Sequence, residues 1–307
     1  MGEKDIRTYS YMSNNERFAD LFNYYLNDGK KVILPENLQE VDTRELCIPK
    51  GKGKAAQKFR DILKEVRAMK DNTATYLLLG VENQSEQNYA MPVQVMLYDT
   101  MQYEDQIKAR EKARKENGAN SGLLPGEYMG RLRKEEKLTP VITLVVFWSA
   151  EKWDGPTSLL EMFDDVEDEF LPFISDYKIN VLSPQMITDE DFSKFETDLA
   201  EVFKFIKHSK NKEAFRKMIK EENDFNNLDW ESAELIKKLT NAKFELVKEG
   251  DVVNMCLAED LWVEEECHNR AVEIAKALIK LGKNTLEEIA DATQLPIEEI
   301  QELMITE

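Results

Sequence analysis

The chain has little histidine and cysteine. Its 307 residues include two histidines, His208 and His268, and three cysteines, Cys47, Cys256 and Cys267. None of the cysteines shows the paired spacing of a zinc site, so the sequence excludes a Cys/His metal centre and a histidine-based nucleophilic relay. The odd number of thiols is typical of a reducing compartment.

Long apolar runs are also missing. The most apolar stretch, Val141 to Trp148, is too short to cross a bilayer, and no charged-then-apolar leader opens the chain. We therefore expect a cytoplasmic protein with no membrane partner.

Positive charge is scarce overall but not everywhere. The net charge is −19, yet residues 1–150 contain 23 Lys/Arg and 22 Asp/Glu, whereas residues 151–307 contain 18 and 38. Residues 50–71 contain eight basic and three acidic side chains. This stretch either tracks nucleic-acid phosphates or is a solvated surface. The side chains expected to bind DNA are Lys50, Lys52, Lys54, Lys58 and Arg60. A second basic patch covers residues 108–115 and 131–137.

The most informative motif is a short apolar run that ends in polar side chains. The run Tyr76–Gln84 has the composition of a buried strand and ends with Glu82 and Gln84, which share a face because strand side chains alternate. Asp61 lies upstream. Two carboxylates and a polar neighbour suit Mg²⁺ or Mn²⁺, which is bound through one or two carboxylates, waters and substrate phosphate. In this interpretation Asp61 and Glu82 bind the metal, and Gln84 aligns the attacking water.

Several segments in this order resemble a known family. They are Phe18–Asn23, Glu82–Gln84 through Met91–Pro92, Tyr98–Asp99, Leu138–Phe147 and Asp176–Asn180. Together they resemble the Rpn family of recombination-promoting nucleases and transposases over the first two thirds of the chain.

The resemblance implies a fold and a site. It implies an α/β protein with a PD-(D/E)XK restriction-endonuclease-like core, a mixed sheet flanked by helices, and a metal site of Asp61, Glu82 and Gln84. Two positions depart from the pattern. Gln84 stands where such nucleases more often carry Lys, and Gln94 where relatives carry Arg, which removes a phosphate or water-orienting contact. Asp20 and Gln94 are accessory candidates, and Asp20 either lines the cleft or faces water.

Periodicity predicts the first elements of the core. An opening helix contains Phe18, Leu21, Phe22 and Tyr25, with a capping box between Ser13 and Glu16. Residues 59–69 fit a helical rhythm, but the following Asp71-Asn72 favours a strand and hairpin.

Further along, residues 92–107 are predicted to form a helix. Residues 109–137 form either a lid over substrate or a surface insertion. Strands are predicted at 141–148 and 178–182.

The remainder, from Thr188, is predicted to be wholly helical, with an apolar stripe from Phe192 to Ile206. We place a nuclease-like domain at 1–208, a helical region at 209–265 and a helical hairpin at 266–307. The hairpin opens with a capping box at Thr285–Glu288 and resembles a helix-turn-helix. Its second helix is acidic, which favours packing or homo-oligomer formation over DNA reading.

Two functions from different classes remain. One is a metal-dependent DNA endonuclease that hydrolyses phosphodiester bonds in recombination, transposition-like processing or defence. The other is a catalytically silent protein with the nuclease fold that acts as a protein-interaction module through its acidic half.

Overall fold

The structure is a computed structural model that describes residues 3–41, 47–50, 54–57, 61–70, 73–119, 121–211, 218, 223–240, 245–250 and 252–305. The chain forms two compact units. The first comprises Met1–Phe215 with Lys238–Thr240, and the second comprises Arg216–Lys237 with Asn241–Glu307. No helix in the described part is long and apolar enough to span a membrane.

The first unit is built on a five-stranded sheet in the order β1-β4-β5-β6-β7. The strands of the unit are β1 (Leu38–Glu40), β2 (Cys47–Lys50), β3 (Lys54–Gln57), β4 (Ile62–Lys70), β5 (Thr73–Gln84), β6 (Val141–Phe147) and β7 (Asn180–Leu182). Strands β1, β4 and β5 pair antiparallel, whereas β5, β6 and β7 pair parallel. The expected mixed sheet is therefore confirmed. Strands β2 and β3 form a separate antiparallel hairpin.

The ambiguous segment before the motif is a strand. Residues 62–70 pair with 73–81 in one antiparallel register, from Ile62 opposite Val81 to Lys70 opposite Thr73. The hairpin prediction is confirmed, because pairing on both sides, with β1 and with β5, outweighs the helical rhythm of the apolar residues.

Helices cover both faces of this sheet. They are α1 (Glu3–Ser13), α2 (Asn15–Asn27), α3 (Met91–Glu116), α4 (Pro125–Gly130) and α5 (Leu199–His208). Helix α3 lies on one face, where Met91 and Val95 pack with Val145 and Val181. The opposite face meets α1 and α2, since Lys64 of β4 donates to the Ser13 carbonyl at 2.5 Å. The unit has three layers, with the sheet in the middle.

Helix boundaries differ from the predictions in three places. The cap of α2 is Asn14, whose side chain accepts from the backbone N–H of Glu16 and Arg17, because Ser13 is the last residue of α1. Helix α3 continues nine residues beyond the predicted end, to Glu116. The stripe from Phe192 begins as a 3-10 turn, and the regular helix starts only at Leu199.

The second unit is not wholly helical, and this prediction was wrong. A small sheet in the order β8-β10-β9 is formed by β8 (Leu228–Asp229), β9 (Lys248–Glu249) and β10 (Val252–Val253). These strands have two residues each and are too short to show a period-2 pattern in the sequence. The described helices after α5 are α6 (Trp230–Thr240), α7 (Met255–Leu281), α8 (Leu286–Thr293) and α9 (Ile297–Ile305).

The C-terminal hairpin has the predicted capping box. Thr285 Oγ accepts from the Glu288 N–H at 3.2 Å, and the Glu288 carboxylate accepts from the Thr285 N–H at 2.8 Å. The apolar face of the hairpin packs on α7, where Ala275 joins Ile289, Leu295 and Ile300 in one buried cluster. Helix α7 runs without interruption through 265–266, the position where we placed a domain boundary.

Candidate metal centre

The centre of the candidate site is the end of the β4–β5 hairpin. Asp61 directly precedes β4, and Ile62 is opposite Val81. The pairing stops at Ile62 and Val81, one residue short of Asp61 and Glu82, so both carboxylates stand at the same end of the hairpin. The N–H of Asn83 donates to Asp61 Oδ2 at 2.8 Å, which holds the Asp61 carboxylate against β5.

Glu82 and Gln84 occupy the same face of β5. Glu82 is paired in register with Val145, whose side chain packs under α3, so this is the face that α3 covers. The Glu82 side chain is 1% exposed, whereas Gln84 at the strand end is partly exposed. Asp61, Glu82 and Gln84 therefore stand at the same end of the hairpin, with Glu82 buried and Gln84 partly exposed.

A third carboxylate, Asp5 on α1, lies near this group. Ser85 Oγ, one residue after β5, is 3.4 Å from Asp5 Oδ1. The charge of Asp5 also acts on Asp61. Sequence reasoning missed Asp5, because a single acidic residue at the start of a polar helix carries no spacing signal. Among the described residues, no group of three or more His, Cys, Asp or Glu side chains is arranged to hold a metal ion.

The protonation of Asp61 is perturbed by its surroundings. Burial raises the pKa of Asp61, hydrogen bonds from Asn83 lower it, and the negative charge of Asp5 raises it; the net direction is upward. A buried carboxylate whose ionised form is disfavoured is one that a bound cation would stabilise. Carboxylates with perturbed pKa values are enriched at functional sites.

Gln94 lies in the first turn of α3, close to the loop that follows β5. Its Oε1 accepts from Asn88 Nδ2 at 3.3 Å, and its backbone N–H donates to the Ala90 carbonyl. These contacts fix the start of α3 against the loop.

Asp20 has a different place from the one expected. It does not face water, because it is buried on α2 and accepts hydrogen bonds from residues 196 and 197. Thr197 donates its backbone N–H at 2.9 Å and its hydroxyl at 2.6 Å to Asp20 Oδ2. Burial raises the pKa of Asp20, and the hydrogen bonds from Thr197 oppose this effect. These contacts indicate that Asp20 fixes residues 196 and 197, which precede α5.

The residues expected to bind DNA fall partly outside the described chain. Lys50 and Lys54 end β2 and begin β3, and they pair across the turn of the hairpin. Lys52, Lys58 and Arg60 lie outside the described residues. Lys64, counted in the same basic stretch, is buried on the face that meets α1 and α2, and its ammonium is bonded to Ser13 and Asn15.

Comparison with known families places this chain in a family of transposase-like proteins. The model of the family described as "Putative transposase, YhgA-like" matches residues 31–235. The chain belongs to this family. The match confirms the Rpn resemblance noted in the sequence and supports a transposase-like protein that interacts with DNA.

The YhgA-like match has defined limits. It includes Asp61, Glu82, Gln84 and Gln94, but neither Asp5 nor Asp20. No curated protein and no solved structure matches the chain. The observed fold is therefore a mixed sheet flanked by helices, and no matching solved structure supports the PD-(D/E)XK assignment.

Proposed function

We propose that this protein is a metal-dependent DNA endonuclease whose centre is formed by Asp61, Glu82 and Gln84. The observation that supports the proposal is the register of the β4–β5 hairpin, in which Asp61 and Glu82 each lie one residue beyond the pairing of Ile62 with Val81, at the same end of the two strands. The YhgA-like family supports DNA as the partner. A transposase-like protein needs a means of breaking phosphodiester bonds, and paired carboxylates with Mg²⁺ are a common means.

The donor set fits Mg²⁺ or Mn²⁺. Asp61 and Glu82 would hold the ion, since Mg²⁺ binds oxygen ligands and commonly takes only one or two carboxylates, with water and phosphate in the remaining positions. Two carboxylates are therefore sufficient, even though the described residues form no three-ligand cluster. When bound, the ion would lower the pKa of a coordinated water and offset charge on the phosphate.

Asn83 and Gln84 would position a metal ligand and orient the attacking water. The Asn83 N–H fixes Asp61 through a bond of 2.8 Å, so this carboxylate is held in place before any ion arrives. The Gln84 amide is partly exposed on the face of β5 that also carries Glu82, and it can orient a water through a hydrogen bond. A neutral amide cannot supply a positive charge, so the role that Lys has in related nucleases would fall to the cation alone.

Plasmid nicking tests the proposal. We expect the wild type to nick supercoiled DNA with Mg²⁺ or Mn²⁺, and Glu82→Gln to reduce the rate about a hundredfold or more, because several kcal/mol of stabilisation are lost at about 1.4 kcal/mol per decade. The matched control is Glu65→Gln, an exposed carboxylate on the same face of the hairpin. No metal-dependent nicking by the wild type, or equal nicking by wild type and Glu82→Gln, would favour the catalytically silent interaction module.

A further inference from the structure

Helix α3 is longer than the sheet it covers. Its 26 residues span about 39 Å, whereas the seven residues of β6 span about 23 Å. Gln106 marks the level of the sheet edge, because its side chain donates to the Thr139 carbonyl at 3.0 Å and accepts from the Thr139 N–H at 2.7 Å, just before β6. The described residues of 107–137, namely 107–119 and 121–137, therefore project beyond the edge where β6 begins. We call them the arm.

The arm is held by its own ion pairs. Arg114 on α3 is buried and contacts Glu136 at 2.6 Å and the Arg131 carbonyl at 2.7 Å. Arg131 in turn contacts Glu104 at 2.7 Å. These bonds tie the returning chain to the helix and favour the surface insertion over a loose lid. At its tip, three large apolar side chains are exposed: Leu124, Tyr128 at 75% and Met129 at 83%.

A second exposed apolar group lies at the same edge. It is residues 160–173, which we call the acidic loop. The two ends of this loop meet at its base, which we call the neck. There Ser158 forms an antiparallel β-bridge with Lys178, and the Ile179 N–H donates to the Thr157 carbonyl at 2.9 Å. Strand β7 begins immediately afterwards and runs parallel to β6, so the neck lies where β6 also begins. The loop exposes Phe163, Phe170, Leu171 and, at 86%, Phe173.

The two groups carry opposite charge. The arm has nine basic and five acidic residues, net +4, and several of its cations are already paired within it. Lys134 and Lys137 at its base are exposed. The acidic loop has six acidic residues and no basic one. Exposed apolar groups with a charged rim mark protein interaction sites.

We infer that the arm of one molecule binds the acidic loop of a second copy of this chain. In a two-fold pair each molecule supplies one arm and one loop, so the same surface is used on both sides and both apolar groups are covered. Opposite charge at the rim selects this pairing over arm–arm and loop–loop contacts, which would be repelled. The contact lies at the edge of the sheet away from Asp61 and Glu82, and it does not depend on the nuclease proposal.

Sedimentation velocity on the full chain tests the inference. We expect a reversible dimer, and at least a tenfold weaker association for the double variant Tyr128→Ser, Met129→Ser. The matched control is Met186→Ser, which removes another exposed methionine of the first unit and should leave association unchanged. A wild type that stays monomeric across micromolar concentrations would overturn the inference, as would an equally tight dimer for the double variant.

Charge reversal separates a direct contact from a folding defect. Lys134→Glu with Lys137→Glu should weaken association, and Asp164→Lys with Asp165→Lys should do the same. An equimolar mixture of the two variants should dimerise again, because the reversed arm meets the reversed loop and the native arm meets the native loop. Failure of the mixture to associate, with both variants folded by circular dichroism, would contradict the two-fold pairing.

Discussion

At the scale of single residues, Asp61 is a carboxylate whose ionised form is disfavoured by its surroundings. It lies one residue before β4, burial raises its pKa, and the charge of Asp5 adds to that effect. A group whose folded pKa is raised above its unfolded value stabilises the fold at low pH, and this contribution is lost as the pH rises through the folded pKa. Ionised Asp61 therefore lowers the stability of the metal-free fold at neutral pH.

The variant Asp61→Asn should accordingly be more stable than the wild type without metal. The Asn side chain keeps an oxygen that can accept from the Asn83 N–H, and it carries no charge. Thermal unfolding in EDTA should show a higher Tm for the variant at pH 8, and the difference should shrink as the pH is lowered towards the ordinary carboxylate range. A variant that is less stable at pH 8, or a difference independent of pH, would contradict this account.

At the scale of elements, the sequence predicted the strands better than the boundaries and contacts. The apolar run of β5 and the β-branched run of β6 are strong local signals, and both strands are confirmed. Asp20 was misjudged because its exposure depends on Thr197, a residue 177 positions away that no periodicity connects to it. The same reason explains why Asp5 was missed, since its place beside Asp61 is created only by the packing of α1.

The role of Asp20 gives a prediction at this scale. Asp20→Ala removes the acceptor for three donors of residues 196 and 197, and buried donors left unsatisfied cost about 1–3 kcal/mol. Urea unfolding should show a loss of this size. Glu16→Ala, which truncates an exposed side chain of the same helix, is the control and should change stability by about 0.5 kcal/mol or less. Equal effects of the two substitutions would contradict the assignment.

At the scale of the whole molecule, charge is divided along the chain. Residues 1–150 are nearly neutral, and residues 151–307 carry the acidity. If the β2–β3 hairpin contacts phosphates, Lys50→Glu with Lys54→Glu should weaken DNA binding at least tenfold and reduce the slope of log K against log salt by roughly 2 or more. Fluorescence anisotropy at several salt concentrations measures both quantities. Lys276→Glu with Lys280→Glu on α7 is a control of equal charge change; a loss of similar size there would indicate a general charge effect.

The central claim, that Asp61 and Glu82 form a metal centre, is tested most directly by Mn²⁺ binding followed by electron paramagnetic resonance. We expect a saturable binding component in the wild type and in Glu65→Gln that is weakened at least tenfold in Asp61→Asn and Glu82→Gln, because each of these removes one charged ligand. This component should also weaken at acidic pH, since protons compete for Asp61. Identical Mn²⁺ binding curves for the wild type and both site variants would contradict the account.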